Sequence, residues 1–137
     1  MGTNSTNDGG KRIINLVYPE LSYTVVGILF SVFNDLGYGY QEKYYQRAIA
    51  VALNKSGMPF KEQVSAPLAY GGKTIGRYYL DFLIADKIVL EIKKGDRFLK
   101  TNIDQVYAYL KRFNLKLGIL ANFTKGGLKF KRIVNVV

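Results

Sequence analysis

The sequence contains neither cysteine nor histidine. Without cysteine there are no disulfides and no thiolate metal sites, which fits a cytoplasmic protein. Without histidine, Ser-His and Cys-His catalysis and histidine-bound zinc are excluded. Any metal site must therefore use oxygen ligands, and such ligands suit Mg²⁺ or Mn²⁺.

Long apolar runs are also missing, since no stretch reaches the ~18 residues of a membrane span. The chain has 137 residues, of which 48% are hydrophobic, so the composition predicts a single folded domain. Residues 1–12, which are polar and glycine-rich, are expected to form a flexible tail. The folded domain is expected to occupy residues 13–137.

Acidic residues are scarce: ten Asp and Glu stand against twenty Lys and Arg, for a net charge of +10. The excess is uneven, because residues 1–85 carry eight basic and six acidic side chains, whereas residues 86–137 carry twelve and four. A basic half indicates a polyanionic partner, most simply nucleic acid. The alternative is an ordinary basic surface that keeps the protein soluble.

Two helical patterns precede the strand patterns. The first predicted helix runs from Pro19 to Leu36 and the second from about Tyr40 to Lys55. Three strands, a third helix and two further strands follow, over about residues 60–70, 74–84, 87–93, 99–113, 116–123 and 128–136. The order α-α-β-β-β-α-β-β predicts an α/β fold with a mixed sheet flanked by helices. Pro67 predicts that the first strand lies at an edge.

The stretch YYLDFLIADKIVLEIKKGDRF (residues 78–98) carries charges where a sheet interior normally excludes them. Glu91 and Lys93 are two residues apart on one strand and therefore share a face. Asp81 joins them if the hairpin loop has three residues, because Ile84 then pairs with Ile88. A two-residue loop would place Asp81 on the opposite face, and the sequence leaves both loops open.

Two carboxylates that face each other across a strand pair repel, and this repulsion destabilises the fold. A divalent cation bound between them would turn the repulsion into attraction. Asp81 and Glu91 with Lys93 beside them therefore form a candidate Mg²⁺ site, in which the two carboxyl groups lie close enough to share one cation. The alternative is an ion-pair patch on a solvated face.

Polar residues on two helices are further candidates. Glu42 shares a helical face with Tyr45 and Ile49, and a carboxylate on a buried stripe needs a partner, although a first-turn glutamate also favours the helix dipole. In the third helix, a polar stripe contains Asn102, Gln105, Tyr109 and Arg112, and its alternative is an ordinary solvent-facing surface. Glu42 and Gln105 are expected to border one cleft, on helices across one side of the sheet.

Three motifs, in this order, resemble a known family. GYQEKYY (residues 39–45) resembles the Gly-x-x-Glu-x-x-Tyr motif of the GxxExxY proteins, which belong to the PD-(D/E)XK nuclease superfamily. Asp81 followed by Glu91-Ile92-Lys93 resembles the superfamily core, and Gln105 to Tyr109 resembles the Gln-x-x-x-Tyr motif of its exonuclease-like branch. The resemblance covers about residues 19–134.

The resemblance implies a role for each matching residue. Asp81 and Glu91 would bind the metal, with the Ile92 carbonyl as a third ligand, and Glu42 would bind the metal or its water. Lys93 would orient the attacking water or stabilise charge on the phosphorane. Gln105 would position Lys93 or a phosphate, with support from Tyr109.

These observations predict a Mg²⁺-dependent nuclease, with Mn²⁺ as an alternative metal and DNA favoured over RNA. The competing hypothesis is a nuclease-like fold that binds nucleic acid or a protein partner without cutting it. Analogy with small nucleases suggests a homodimer. A basic rim around the cleft is expected to come from Lys94, Arg97, Lys100, Arg112 and Lys125.

Overall fold

The computed structural model describes residues 17–136, and its elements follow the predicted order. The predicted tail, residues 1–12, lies outside the described residues. The helices are α1 (Pro19–Leu36), α2 (Glu42–Lys55) and α3 (Lys100–Arg112). The strands are β1 (Phe60–Tyr70), β2 (Lys73–Ile84), β3 (Ile88–Lys94), β4 (Leu117–Thr124) and β5 (Gly127–Val134). The second helix begins at Glu42, two residues later than predicted.

Proline and glycine mark the ends of α1. Pro19 is its first residue, a position where the missing N–H costs nothing. Gly37 follows its last residue with φ 74°, and its N–H donates to the Phe33 carbonyl. The chain then turns and enters α2 at Glu42.

The strands of residues 17–136 form one sheet in the order β1-β2-β3-β4-β5. All neighbouring pairs are antiparallel except β3 and β4, which are parallel and are joined by α3. The mixed sheet and the edge position of β1 confirm both sequence predictions. Every residue of β4 is buried, as expected for a central strand covered on both faces.

Separate helices cover the two faces of the sheet. On one face, α1 and α2 pack on Ile88, Leu90 and Ile92 of β3 and on alternate residues of β4. On the other face, α3 packs on residues that include Val89 and Leu120. The prediction that α2 and α3 lie across one side of the sheet is therefore wrong. Because every residue of β4 is buried, each face of the sheet has its own cover.

A glycine in β4 lets α3 approach closely. A Cβ atom on Gly118 would lie 2.4 Å from Cγ1 of Val106, which is too close for any real contact. None of the helices in residues 17–136 has the length and hydrophobicity needed to cross a membrane.

Candidate functional site

The site begins where β2 and β3 stop pairing. Their ladder consists of three residue pairs, from Phe82 with Leu90 to Ile84 with Ile88, so of the two loops that the sequence left open the structure has the three-residue one. Strand β2 twists just before Phe82. Phe82 packs on the α1–α2 side of the sheet, whereas Leu80, two residues earlier, packs on the α3 side. The two strands part at Asp81.

Side chains replace the ladder in the gap between the two strands. The Asp81 N–H donates to Glu91 Oε1 at 3.0 Å, and the Ile92 N–H donates to Asp81 Oδ2 at 2.7 Å. Each carboxylate is thus anchored by one oxygen to the backbone of the opposite strand. Both residues are buried.

A third carboxylate bonds the same edge of β3. The Lys94 N–H donates to Glu42 Oε2 at 3.0 Å. Ile92 and Lys94 are two residues apart and direct their N–H groups to the same side, the side on which Leu90 and Ile88 pair with β2. Glu42 and Asp81 therefore take the places that carbonyls of β2 would fill in a longer ladder. A carboxylate beside the buried stripe of α2 needs a hydrogen-bond partner, and the Lys94 N–H is that partner for Glu42.

Lys93 supplies the positive charge next to this pair. Its Nζ lies 3.5 Å from Glu91 Oε2, and its side chain is one-third exposed. Alternation along β3 places Lys93 on the same face as Glu91, which is the face covered by α3. The ammonium group is thus close to the carboxylates and still open to solvent.

The electrostatics of the pair favour a bound cation. Burial, followed by the charge of Asp81, raises the pKa of Glu91 to about 8, and Lys93 opposes the shift. Burial also raises the pKa of Asp81. Both raised pKa values indicate that Lys93 compensates the negative charges of the two buried carboxylates only in part. A divalent cation between the two carboxylates would remove the penalty.

The donor set fits a hard divalent metal. Asp81 Oδ1 and Glu91 Oε2 are the oxygens that do not bond to the backbone, and the Ile92 carbonyl points to the same side as its N–H. Carboxylate and carbonyl oxygens are the ligands that Mg²⁺ and Mn²⁺ use. Within residues 17–136, however, no three acidic side chains gather into one metal-binding group. Glu42 is turned instead to the backbone of Lys94.

Gln46 is a residue of the site that was not predicted from the sequence. Its Nε2 donates to Asp81 Oδ1 at 2.9 Å, so it contacts the carboxylate oxygen that the backbone leaves unbonded. Gln46 lies four residues after Glu42 on α2, and residues at this spacing share a helical face. That spacing is the signal by which it could have been found. Together, Glu42 and Gln46 link α2 to both strands of the site.

Gln105 and Tyr109 lie on α3, on the opposite side of the sheet from α2. Gln105 is exposed, whereas Tyr109 is buried in the core under α3 and its ring packs on Phe113. Burial raises the pKa of the Tyr109 hydroxyl. No hydrogen bond within residues 17–136 joins either side chain to the carboxylates or to Lys93. Their roles in the site stay predictions.

The predicted basic rim is divided. Lys94, Arg97, Lys100 and Lys125 are exposed and lie at or just after the carboxyl ends of β3 and β4. Lys100 is paired with Asp104 at 2.7 Å. Arg112 lies in the last turn of α3, which is ~18 Å along the helix from Lys100. Its charge acts on Tyr78 of β2 rather than on the carboxylates.

The loop after β3 is fixed by a buried amide. Asn122 of β4 lies beside Lys93 in the parallel ladder, and its Nδ2 donates to the Gly95 and Arg97 carbonyls at 3.2 and 2.7 Å. These bonds hold the chain that leaves the site towards α3.

Comparison with known proteins agrees with this architecture. The family model of the PD-(D/E)XK nuclease superfamily matches residues 19–133. No curated protein was found to match the chain. Among solved structures, the crystal structure of SSO0001 is similar with a TM-score of 0.54 and 21% identity over 88% of this chain. The chain spans 58% of the length of that structure.

An alkaline exonuclease from Laribacter hongkongensis is also similar, with a TM-score of 0.48 and 12% identity. The match covers 90% of this chain and 73% of the exonuclease.

Proposed function

The chain belongs to the PD-(D/E)XK nuclease superfamily, and we propose that it is a metal-dependent nuclease that hydrolyses phosphodiester bonds, with DNA favoured over RNA. The observation that carries the proposal is the reciprocal bonding of Asp81 and Glu91, which holds two buried carboxylates together beside Lys93. Phosphodiester hydrolysis needs an activated water, a Lewis acid and a cation near the developing charge.

Asp81 and Glu91, with the Ile92 carbonyl, are the groups that would hold Mg²⁺ or Mn²⁺. When bound, such a cation supplies the Lewis acid for the phosphoryl oxygen and lowers the pKa of a bound water. The backbone anchors on one oxygen of each carboxylate fix the orientation of the other oxygen, so the ligands are arranged before the metal arrives. Gln46 adds a second fixed contact to Asp81.

Lys93 is the group that we assign to the attacking water and to the phosphorane. It is held by Glu91 but is one-third exposed, so its ammonium group can donate to a substrate oxygen without leaving the site. Gln105 would position Lys93 or a phosphate. In support, alternation along β3 places Lys93 on the face covered by α3, the helix that carries Gln105.

We also place the chain in the GxxExxY branch, on the basis of Gly39, Glu42 and Tyr45. Gly39 has φ 121°, a conformation that favours glycine, and the buried Tyr45 hydroxyl donates to the Gly37 carbonyl. These contacts fix the turn before α2 and with it the position of Glu42. Glu42 bonds to Lys94, the residue directly after Lys93, which supports a role at the edge of the site.

The substrate would be held electrostatically. Lys94, Arg97, Lys100 and Lys125 lie at the end of the sheet where β3 carries Glu91 and Lys93, and Arg112 would add charge further along α3. Because each neutralised phosphate releases counterions, DNA affinity should fall steeply between low and moderate salt. A homodimer and a cytoplasmic location stay predictions from the sequence.

The experiment is a cleavage assay on linear and supercoiled DNA, and on RNA, titrated with Mg²⁺ and Mn²⁺. Lys93→Ala should lower cleavage at least ~100-fold, because loss of one charged stabiliser typically costs ~3 kcal/mol. Folding and metal binding should stay nearly unchanged, since an ammonium group donates no lone pair to a metal. Lys116→Ala is the matched control, because Lys116 is an exposed lysine in the loop before β4.

Two results would overturn the proposal. If the wild type cleaves no nucleic acid with either metal and yet binds DNA well, the chain is a binding module on a nuclease fold. If Lys93→Ala cleaves as fast as the wild type, the measured activity belongs to another site or to a contaminant.

A further inference from the structure

Strands β1 and β2 continue well beyond the sheet as a two-stranded arm, which we define as residues 64–80. Strand β2 pairs with β3 only from Phe82 to Ile84, whereas its pairing with β1 continues to Lys73. The arm is therefore held by its own ladder and by contacts at its base, where Ala66 and Leu80 pack with α3. Beyond the base, none of the other described elements packs on it in the apolar core.

The arm exposes large apolar and aromatic side chains. The exposed fractions are 50% for Leu68, 78% for Tyr70, 64% for Ile75 and 55% for Tyr79. Leu68 and Tyr70 lie on one face of the arm and Tyr79 lies on the other, because Tyr79 pairs with Ser65 and side chains alternate along β1. Both faces of the arm therefore expose an aromatic ring.

The charges of the arm have a single sign. Lys73 and Arg77 are both exposed, and residues 64–80 contain no aspartate or glutamate. At its base, the charge of Arg112 acts on Tyr78. A partner for this surface must therefore tolerate or carry negative charge and offer apolar or planar faces to the aromatic rings.

We propose that the arm binds nucleic acid through unpaired bases, and this inference rests on the proposed nuclease function. Basic residues that follow a phosphate backbone, interleaved with aromatic rings on which bases stack, are the pattern of single-strand recognition. In a duplex the faces of the bases are already stacked on each other, so exposed tyrosines gain little from it. The charge complementarity also favours nucleic acid over a second copy of this basic chain.

The arm leads directly to the carboxylates. Tyr79 precedes Asp81 by two residues on β2, which corresponds to ~7 Å along the strand. The tip, near Gly71, lies ten residues from Asp81, or ~33 Å. A strand held along the arm would thus reach the site from one fixed direction. The substrates that this arrangement selects are those with an unpaired segment, such as single strands and duplexes with single-stranded ends.

The test compares binding of two probes in EDTA, where no cleavage occurs. The probes are a fluorescent oligothymidylate of about 20 nucleotides, longer than the ~16-nucleotide site of one stacking module, and a blunt duplex of the same length. Fluorescence anisotropy at low salt gives both affinities. Tyr70→Ala and Tyr79→Ala, singly and combined, remove rings from the arm and leave its charge unchanged. Tyr23→Ala is the matched control, because Tyr23 on α1 is 82% exposed.

Each arm variant should weaken oligothymidylate binding at least ~5-fold and the double variant at least ~10-fold, as expected for lost stacking. Duplex affinity should change less than about two-fold by the same reasoning, because stacking requires free base faces. The control should bind both probes as the wild type does.

Two outcomes would overturn the inference. One is unchanged oligothymidylate affinity in the double variant. The other is equal loss for both probes. If the double variant binds as the wild type does but changes its sedimentation coefficient, the arm joins two copies of the chain instead.

A negative result for the binding role of the arm can be distinguished from a negative result for the nuclease activity. The binding test needs no metal and no cleavage, so its result stands even if the wild type proves inactive. Conversely, an active wild type whose arm variants cut single strands at the normal rate would refute the arm alone.

Discussion

Asp81 and Glu91 each bond to the backbone of the other's strand: Glu91 accepts the N–H of Asp81, and Asp81 accepts the N–H of Ile92. The two carboxylates thus close the gap that opens where β2 leaves β3. One oxygen of each is used in this structural bond, and the other is directed to Gln46 or to Lys93. This division between a structural and a functional oxygen determines how variants of the site should behave.

Asp81→Asn should weaken metal binding rather than the chemical step. The amide removes the charge of a ligand, while its oxygen can still accept the Ile92 N–H. We expect the Mn²⁺ concentration for half-maximal cleavage to rise at least ~10-fold, with most of the rate recovered at saturation. Isothermal titration calorimetry with Mn²⁺ measures the binding directly. Asp86→Asn, an exposed change in the β2–β3 loop, is the control. A normal metal requirement in Asp81→Asn would remove this residue from the ligand set.

Gln46→Ala should also lower metal affinity, by about 10-fold, because groups that orient a ligand typically have effects of 10–100-fold. The cause is the lost bond of 2.9 Å to Asp81, which leaves that carboxylate held only by the Ile92 N–H. The readout is the Mn²⁺ dissociation constant together with the Mn²⁺ dependence of cleavage. Asn54→Ala, at an exposed position of the same helix, should leave both unchanged. Equal metal affinity in Gln46→Ala and the wild type would reduce Gln46 to a packing contact.

The free energy of unfolding in EDTA should depend on pH through Glu91. Burial raises its folded-state pKa to about 8, against 4.5 for the ordinary side chain. Between these values the folded chain keeps a proton that the unfolded chain has released, so stability is greatest below pH 4.5 and falls as pH rises towards 8. The loss should reach up to about 5 kcal/mol. Urea unfolding followed by circular dichroism at a series of pH values measures it.

Glu91→Gln should flatten this dependence, and Glu20→Gln at an exposed position of α1 should not. Mg²⁺ should reduce the loss at pH 8, because it binds the ionised pair in the folded chain only. A pH profile that is the same in Glu91→Gln and in the wild type would contradict the assignment.

Gly118→Ala should lower the free energy of unfolding by about 1–3 kcal/mol, the usual cost of overpacking a core. The new Cβ would lie 2.4 Å from Val106 Cγ1, and a β-branched side chain on a helix has few other rotamers. Gly27→Ala is the control: its Cβ meets nothing within 4 Å, and it lies inside α1, where alanine is the better helix former. Unfolding midpoints in urea should therefore shift in opposite directions, and a shift in the same direction would refute the packing argument.

The element order was predictable because periodicity and breakers specify it locally, and Pro19 and Gly37 mark the ends of α1. The sequence left the length of the hairpin loop open, and the pairing of Ile84 with Ile88 in the structure shows that it has three residues. The start of α2 was predicted two residues early, since Tyr40 and Gln41 also suit a helix.

Long-range geometry could not be predicted from the same patterns. The contact of Gln46 with Asp81 depends on where β2 leaves the sheet, and that departure is set by packing of Leu80 and Ala66 with α3. The side taken by α3 was predicted wrongly because periodicity identifies the buried stripe of a helix but not the sheet face beneath it. The burial of every residue of β4, visible only in the folded chain, requires cover on both faces.

The early end of the β2–β3 ladder has a consequence for comparing relatives of this chain. Ile92 and Lys94 have N–H groups that need acceptors whether or not the protein cuts anything, and Asp81 and Glu42 provide them. A relative that has lost catalysis would therefore still be stabilised by these acidic residues, because replacing either one with alanine would leave a backbone N–H without an acceptor. Lys93 satisfies no backbone group among the described residues and contributes only its charge beside Glu91, so its loss would leave the backbone hydrogen bonds of the site intact. In an alignment of relatives, the lysine at position 93 rather than the acidic residues should distinguish catalytically active members from inactive ones.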